Sequence, residues 1–285
     1  MSNFIIAPSI MAGIGLVFGT ILAISHRFLR VEEDPRIEET NNLLPGSNCG
    51  ACGEPGCLPF AEKLVAGKVQ PGQCTVSSAD NIEAIADYLQ VDAGKQEKLV
   101  ARLKCGGGRG QAHQIAEYQG FEGCRAAALV SGGGKGCSWG CLGLGDCEIA
   151  CTFEAIHMNK NGLPQVDIDK CTACPDCTNA CPKGLFEVVP LSHHLYVECA
   201  SPLAGDAATL LCATACDACG KCAADAAPGL ILMENNLPVI DYSSGAEARP
   251  RAVFRCPTRA IKWIEGNQFE DQEDRQLIAS GKGGT

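Results

Sequence analysis

Polar and apolar positions divide the chain into sharply different stretches. From Phe4 to Ile24 no charged residue occurs, and Ile5, Ile6, Ile10, Leu16, Val17, Phe18, Ile21 and Leu22 recur through the run. That run is long enough to cross a bilayer as one helix, and Pro8, Gly13, Gly15 and Gly19 are tolerated in such helices. His26, Arg27 and Arg30 follow it while no Lys or Arg precedes it. The positive-inside rule then directs the N-terminus outward and the rest of the chain to the cytoplasm. A buried core helix would end sooner and keep a polar face. Residues 31–45 turn acidic and hold Pro35 and Pro45, the pattern of a linker. Over 79–104, Ile82, Ile85, Leu89, Leu99, Val100 and Leu103 fall among charged residues and predict one or two helices. Glycine-rich breaks follow at 106–110 and 132–136, and GLPQVDID and NLPVIDY read as strands. From Glu265 the sequence is polar, ends in GKGGT and reads as a flexible tail.

Composition changes this picture through cysteine. The chain has 20 Cys, with 33 Gly, 15 Pro and only 5% aromatic residues. It is poor in large side chains for a conventional core, and metal binding coupled to folding offers another source of stability. A secreted disulfide scaffold is the competing reading. The N-terminal run has no basic region ahead of it and no clear cleavage site after it, and the thiols sit in C-x-x-C runs that converge on one centre. A net charge of −10 makes nucleic acid an unsuitable partner.

Comparing the chain with itself shows a repeat of 75 residues. Cys124, Cys137, Cys141, Cys147 and Cys181 fall on Cys199, Cys212, Cys216, Cys222 and Cys256, and Pro182 falls on Pro257. Segments 124–190 and 199–264 are two copies of one unit. Cys151, Cys171, Cys174 and Cys177 of the first copy fall on Ala226, Ala246, Arg249 and Ala252. The missing thiols form one coherent set. In a two-cluster ferredoxin run, C-x2-C-x2-C-x3-C-P, the fourth cysteine ligates the other cluster, so one whole site has been lost with no orphaned partner.

These spacings give four expected [4Fe–4S] sites. The first is Cys49, Cys52, Cys57 and Cys74, for which a four-thiolate zinc site is the alternative. The second is Cys137, Cys141, Cys147 and Cys181; Leu144 stands where a ligand is expected, and Cys137 is taken as its substitute. The third is Cys151, Cys171, Cys174 and Cys177, and the fourth is Cys216, Cys219, Cys222 and Cys256. Cys105, Cys124, Cys199 and Cys212 are left over. They make either a fifth site or buried thiols packing as small apolar groups.

GGGKGCS at 132–138 lacks the Ser or Thr of a phosphate loop, and CGGGRG at 105–110 lacks a preceding strand pattern. Both read as glycine wrapping near thiolates. His193 and His194 read as a solvated loop. No nucleophile–base pair and no flavin or nicotinamide signature occurs, so no substrate-converting or catalytic site is expected on this chain. The expected fold class is α+β: a transmembrane anchor (1–30), an acidic linker (31–45), a small [4Fe–4S] module with a helical segment (46–104), a two-cluster ferredoxin-like domain (105–190), a degenerate ferredoxin-like repeat with one cluster (191–264) and a tail (265–285).

The N-terminal run, VEEDPRIEE, LLPGSNCGACGEPGC with Cys74, CSWGCLGLGDC and CTACPDCTNACP, in that order, resemble the B subunits of Rnf complexes, the ion-translocating ferredoxin:NAD oxidoreductases. The resemblance covers nearly the whole chain and implies an electron-transfer subunit of a translocase. Such a subunit accepts electrons from soluble ferredoxin, relays them to other membrane and peripheral subunits, and sits at the cytoplasmic face of the inner membrane. The resemblance also implies coupling to Na⁺ or H⁺. The second repeat departs from the pattern by its four missing cysteines. A redox-sensing iron–sulfur protein and a polyferredoxin subunit of another membrane oxidoreductase are the rival readings; several clusters favour a wire, since a sensor needs one centre.

Overall fold

The computed structural model describes residues 3–29, 34–95 and 97–269. Helix α1 (Asn3–Leu29) carries the uncharged run. Met11, Leu16, Phe18 and Leu22 stand exposed along it. Among the described residues no helix is long and apolar enough to cross a membrane. The first part of the expected span, residues 4–10, lies outside the residues whose side chains are described.

The acidic linker proves to be a docked helix over most of its described length. Asp34 caps α2 (Pro35–Leu43) by accepting from the Arg36 amide at 3.0 Å, and Pro35 pre-sets the first turn. Ile37, Leu43 and Leu44 then pack with Phe60, Ala61 and Leu64 of α3 (Cys57–Val65) and with Ile85 of α4 (Ala79–Leu89). Residues 31–33 lie outside the described residues.

Of the helical expectation over 79–104, only α4 is helical. Ser78 caps it and Gln90, at φ 55°, ends it. Leu99, Val100 and Leu103 lie instead on strand β1 (Leu99–Leu103), antiparallel to β4 (Phe186–Pro190), with Leu99 opposite Pro190 and Leu103 opposite Phe186. Val100, Ala101, Arg102 and Leu103 are all buried, so the strand is covered on both faces and shows no alternation to betray it.

The repeat is visible in the backbone. Hairpin β2 (Ile156–Met158) and β3 (Pro164–Val166) is answered by β6 (Ile231–Glu234) and β7 (Leu237–Ile240). Helix α6 (Asp146–Ala150) is answered by α9 (Lys221–Asp225). The outer sheet β1–β4 is answered by β5 (Leu195–Val197) with β8 (Ile261–Trp263). Two further short helices, α5 (Cys124–Leu129) and α7 (Asp176–Ala180), belong to the first unit, and α8 (Gly205–Thr209) to the second.

The chain does not leave the fold at Glu265. Gln268 and Phe269 are buried. The Gln268 amide accepts from the Leu103 N–H at 2.8 Å and donates to the Leu103 carbonyl and to Glu198, each at 3.1 Å. Glu198, itself buried, also pairs with Lys262 at 3.0 Å. Residues 266–269 thus strap the second unit to β1 of the first. Only residues 270–285 of the expected tail remain, and they lie outside the described residues.

The histidine pair is likewise built into the fold. His193 stacks on Tyr242 with ring centroids 3.6 Å apart, and the His194 ring Nδ1 lies 2.9 Å from the Ile264 carbonyl.

Candidate iron–sulfur sites

Every cysteine is a free thiol, and only Cys219 is exposed. Four small voids are each ringed by four of them. Cys49, Cys52, Cys57 and Cys74 line the first. Gly50 and Gly53 turn through φ 73° and 86° between its ligand positions, and the Asn48 side chain accepts from the Cys57 amide at 2.8 Å as α3 begins. Cys151, Cys171, Cys174 and Cys177 line another, with Ala173 in the left-handed region at φ 60°.

The remaining two voids revise the grouping. Cys141, Cys147 and Cys181 share theirs with Cys124, not with Cys137. Cys137 instead faces Cys105, Cys199 and Cys212. The segment after Cys137 is a turn, closed by Gly140 N–H donating to the Cys137 carbonyl at 3.2 Å, and Cys137 and Cys141 line different voids. Gly143 takes φ 74°, as Ala173 and Ala218 take positive φ in their own loops. The ligand-loop geometry is therefore kept although Leu144 ends it. The fourth thiol lining this void comes from α5, whose first amides, Cys124 and Arg125, donate to the Asp146 carboxylate at 2.8 and 3.1 Å.

Cys216, Cys219, Cys222 and Cys256 gather on the second unit, with Cys219 and Cys256 both acting on the Cys222 thiol. The positions of the lost site are filled. Ala226, Ala246 and Ala252 pack with Leu230 and Ile231 in an apolar cluster, and Arg249 pairs with Glu247 at 2.6 Å.

The four voids are alike in size, with about 340, 360, 340 and 290 Å³ free of protein atoms. A wider, open cleft is different: β4, β7, His193, Tyr196 and Tyr242 form it, and it touches one thiol, Cys199. Among the described residues no three His, Cys, Asp or Glu side chains stand as a site for a single metal ion. Rings of thiols around a void suit a larger inorganic core, which holds its ligands farther apart than one ion does.

Electrostatics point the same way. Burial pushes the Cys141 and Cys177 thiols up to about 12 and Cys216 up to about 11, with neighbouring thiols adding to the effect. Cys147 is raised further for the same reasons. Thiolates are costly here unless a cationic centre compensates them, and binding one would release protons.

The five groups also form a line. The Thr75 hydroxyl, next to Cys74, donates to the Thr172 carbonyl, next to Cys171, at 2.7 Å. Cys177 acts on Cys147 across α6 and α7. The Cys141 amide donates to Cys105 Sγ at 3.3 Å. Cys199 in turn acts on Cys216.

A protein with such rings of thiols is an iron–sulfur protein, and residues 44–76 match a family model described as a putative Fe-S cluster. The chain is 41% identical to the B subunit of the Na(+)-translocating ferredoxin:NAD(+) oxidoreductase complex of Acetobacterium woodii, over 92% of this chain and 78% of that one. It is 36% identical to the B subunit of the proton-translocating ferredoxin:NAD(+) oxidoreductase complex of Clostridium ljungdahlii, over 98% of this chain and all of that one. The B subunit of the ion-translocating oxidoreductase complex of Methanosarcina acetivorans is 33% identical, over 92% and 99%. The chain belongs to the family of B subunits of the ion-translocating ferredoxin:NAD(+) oxidoreductase (Rnf) complexes, and as such it is one component of a larger redox complex.

Proposed function

We propose that this chain is the electron relay of its complex, taking electrons from reduced ferredoxin and handing them to other subunits through five [4Fe–4S] clusters. The observation that carries this reading is the unbroken line of thiol groups from Cys49 to Cys256. The ligand sets are Cys49, Cys52, Cys57, Cys74; Cys151, Cys171, Cys174, Cys177; Cys124, Cys141, Cys147, Cys181; Cys105, Cys137, Cys199, Cys212; and Cys216, Cys219, Cys222, Cys256. When bound, such clusters supply one-electron chemistry over a range of roughly −700 to +450 mV, tuned by charge, hydrogen bonds and exposure. The protein's part is to bury the thiols, to hold the ligand loops in left-handed turns, and to keep neighbouring sites adjacent.

Entry of electrons is assigned to the last unit. Its Cys219 is the one exposed thiol, and Phe254 stands 77% exposed on the same unit. Of the basic residues there, Arg255 is held by Asp225 at 2.6 Å and Arg249 by Glu247, whereas Arg251, Arg259 and Lys221 are exposed and in none of the ion pairs among the described residues, and they steer an acidic donor. Charge reversal at Arg251 and Arg259 is expected to slow reduction by ferredoxin in stopped-flow, more so at low salt, and reversal at Arg249 to change it little. Equal rates for all variants would place entry elsewhere.

Residues 4–24 belong to this reading as a single-pass anchor with the cysteine-bearing units on the cytoplasmic side. What supports it is the uncharged run, its outward apolar side chains and the basic residues after it.

A further inference from the structure

Lys135 lies in the glycine-rich stretch that fails as a phosphate loop, and the fold buries it to 8% exposure. Its backbone is clamped from outside. The Ile115 amide donates to the Gly134 carbonyl at 2.8 Å, and the Gly136 amide to the His113 carbonyl at 2.9 Å. Gly134, at φ 77°, has no room for a side chain, because a Cβ would collide with the Ala116 carbonyl oxygen. On the inner side a Cβ at Gly140 would come within 3.1 Å of Lys135 Cε. Glycines thus shape a slot through which one long side chain reaches inward.

The ammonium at its end touches two sites at once. Nζ donates to the Gly107 carbonyl at 2.5 Å and to the Cys141 carbonyl at 2.6 Å. Gly107 lines the void of Cys105, Cys137, Cys199 and Cys212, and Cys141 lines the void of Cys124, Cys147 and Cys181. Among the described residues no carboxylate pairs with it. A buried cation held only by carbonyls carries a desolvation cost that neutral dipoles do not fully offset. An iron–sulfur core in four thiolates is a net anion, and two of them would flank this ammonium.

We propose that Lys135 is the shared counter-charge of these two clusters, raising the reduction potential of both and making them the electron-holding middle of the line. This rests on the reading that both voids hold clusters. A cation fixed between two anions stabilises each reduced form, since reduction adds negative charge next to it. One residue would then set two potentials together, which neither ligand loop could do alone.

The test uses the full-length, cluster-loaded chain and its Lys135→Met and Lys135→Arg variants, by EPR-monitored redox titration with iron counted in parallel. Lys135→Met is expected to lower two midpoint potentials and leave the other three in place. Each drop should be at least tenfold in the reduction equilibrium, or about 59 mV for one electron. Lys135→Arg should stay near the parent. Should Lys135→Met instead lose two clusters while Lys135→Arg keeps both, the positive charge is needed to hold them, which supports the proposal in a stronger form. Unchanged potentials with all clusters present, or loss of the same clusters in both variants, would overturn it. Cys105→Ser and Cys147→Ser separate the premise from the proposal: if neither loses iron, the cluster reading of the two voids fails as well.

Discussion

At Gly107 the main chain passes so close to Cys212 that a Cβ would lie 2.7 Å from its sulfur and 3.8 Å from that of Cys105. A side chain there must push the Cys212 thiol aside. Gly107→Val is therefore expected to cost the cluster of Cys105, Cys137, Cys199 and Cys212, about four irons per chain, while the other EPR signals persist; full iron content in the variant would contradict the placement. Cys124 and Cys137 give a sharper residue-scale contrast. Cys124→Ser should remove the cluster of Cys141, Cys147 and Cys181, and Cys137→Ser the one that spans the two repeats. The opposite pattern would restore the sequence-based grouping. His193 offers a check away from any thiol. Burial holds its imidazole below the ordinary value of 6.5. Because the unfolded chain takes up the proton first, its contribution to stability is present above pH 6.5 and is lost as pH falls through the lowered value. An NMR titration midpoint at or above 6.5 would contradict the stacked, half-buried placement.

Among the elements, the strap of residues 266–269 carries the clearest consequence. Replacing Gln268 by Ala leaves the Leu103 amide and carbonyl without their partner, a cost of about 1–3 kcal/mol. Hydrogen exchange at Leu103 should accelerate by about tenfold for each 1.4 kcal/mol lost. An unchanged rate would mean that the strap does not hold β1. This element was not legible in the sequence, because GNQFE is as polar as any tail and its burial depends on two amide bonds made far along the chain. Strand β1 was hidden for a related reason: burial on both faces removes the alternation by which strands are read. The acidic segment 35–43 reads as a linker by composition, yet Asp34 and Pro35 are a helix start, and Ile37, Leu43 and Leu44 supply its apolar face. What spacing shows well is the repeat, because ligand positions recur wherever the backbone does. Cys124 and Cys137 stand the other way round from the spacing because Leu144 breaks the local motif, and the turn at 137–140 and the approach of α5 set which thiol lines which void.

On the scale of the whole molecule, the duplication has been put to uneven use. The first unit keeps two thiol rings, the second keeps one and packs alanines where the other stood, and a further ring draws Cys105 and Cys137 from the first side and Cys199 and Cys212 from the second. A set shared between copies cannot be read from either copy alone, and the fifth grouping expected from the leftover thiols meets this ring in Cys105, Cys199 and Cys212 but has Cys124 where the void has Cys137. The ring also ties the units together, so losing it should loosen their packing as well as interrupt the line. At the other end, a chain lacking residues 1–33 is expected to keep its clusters yet stay out of membranes in a flotation assay; membrane binding by that chain would show that the apolar run is not the anchor.

The central claim is the number of clusters, and iron with acid-labile sulfide per full-length chain measures it most directly. Five thiol rings predict about 20 irons and about 20 sulfides. About 16 would leave Cys105, Cys137, Cys199 and Cys212 as packed thiols, and about 4 or fewer without sulfide would contradict the relay altogether.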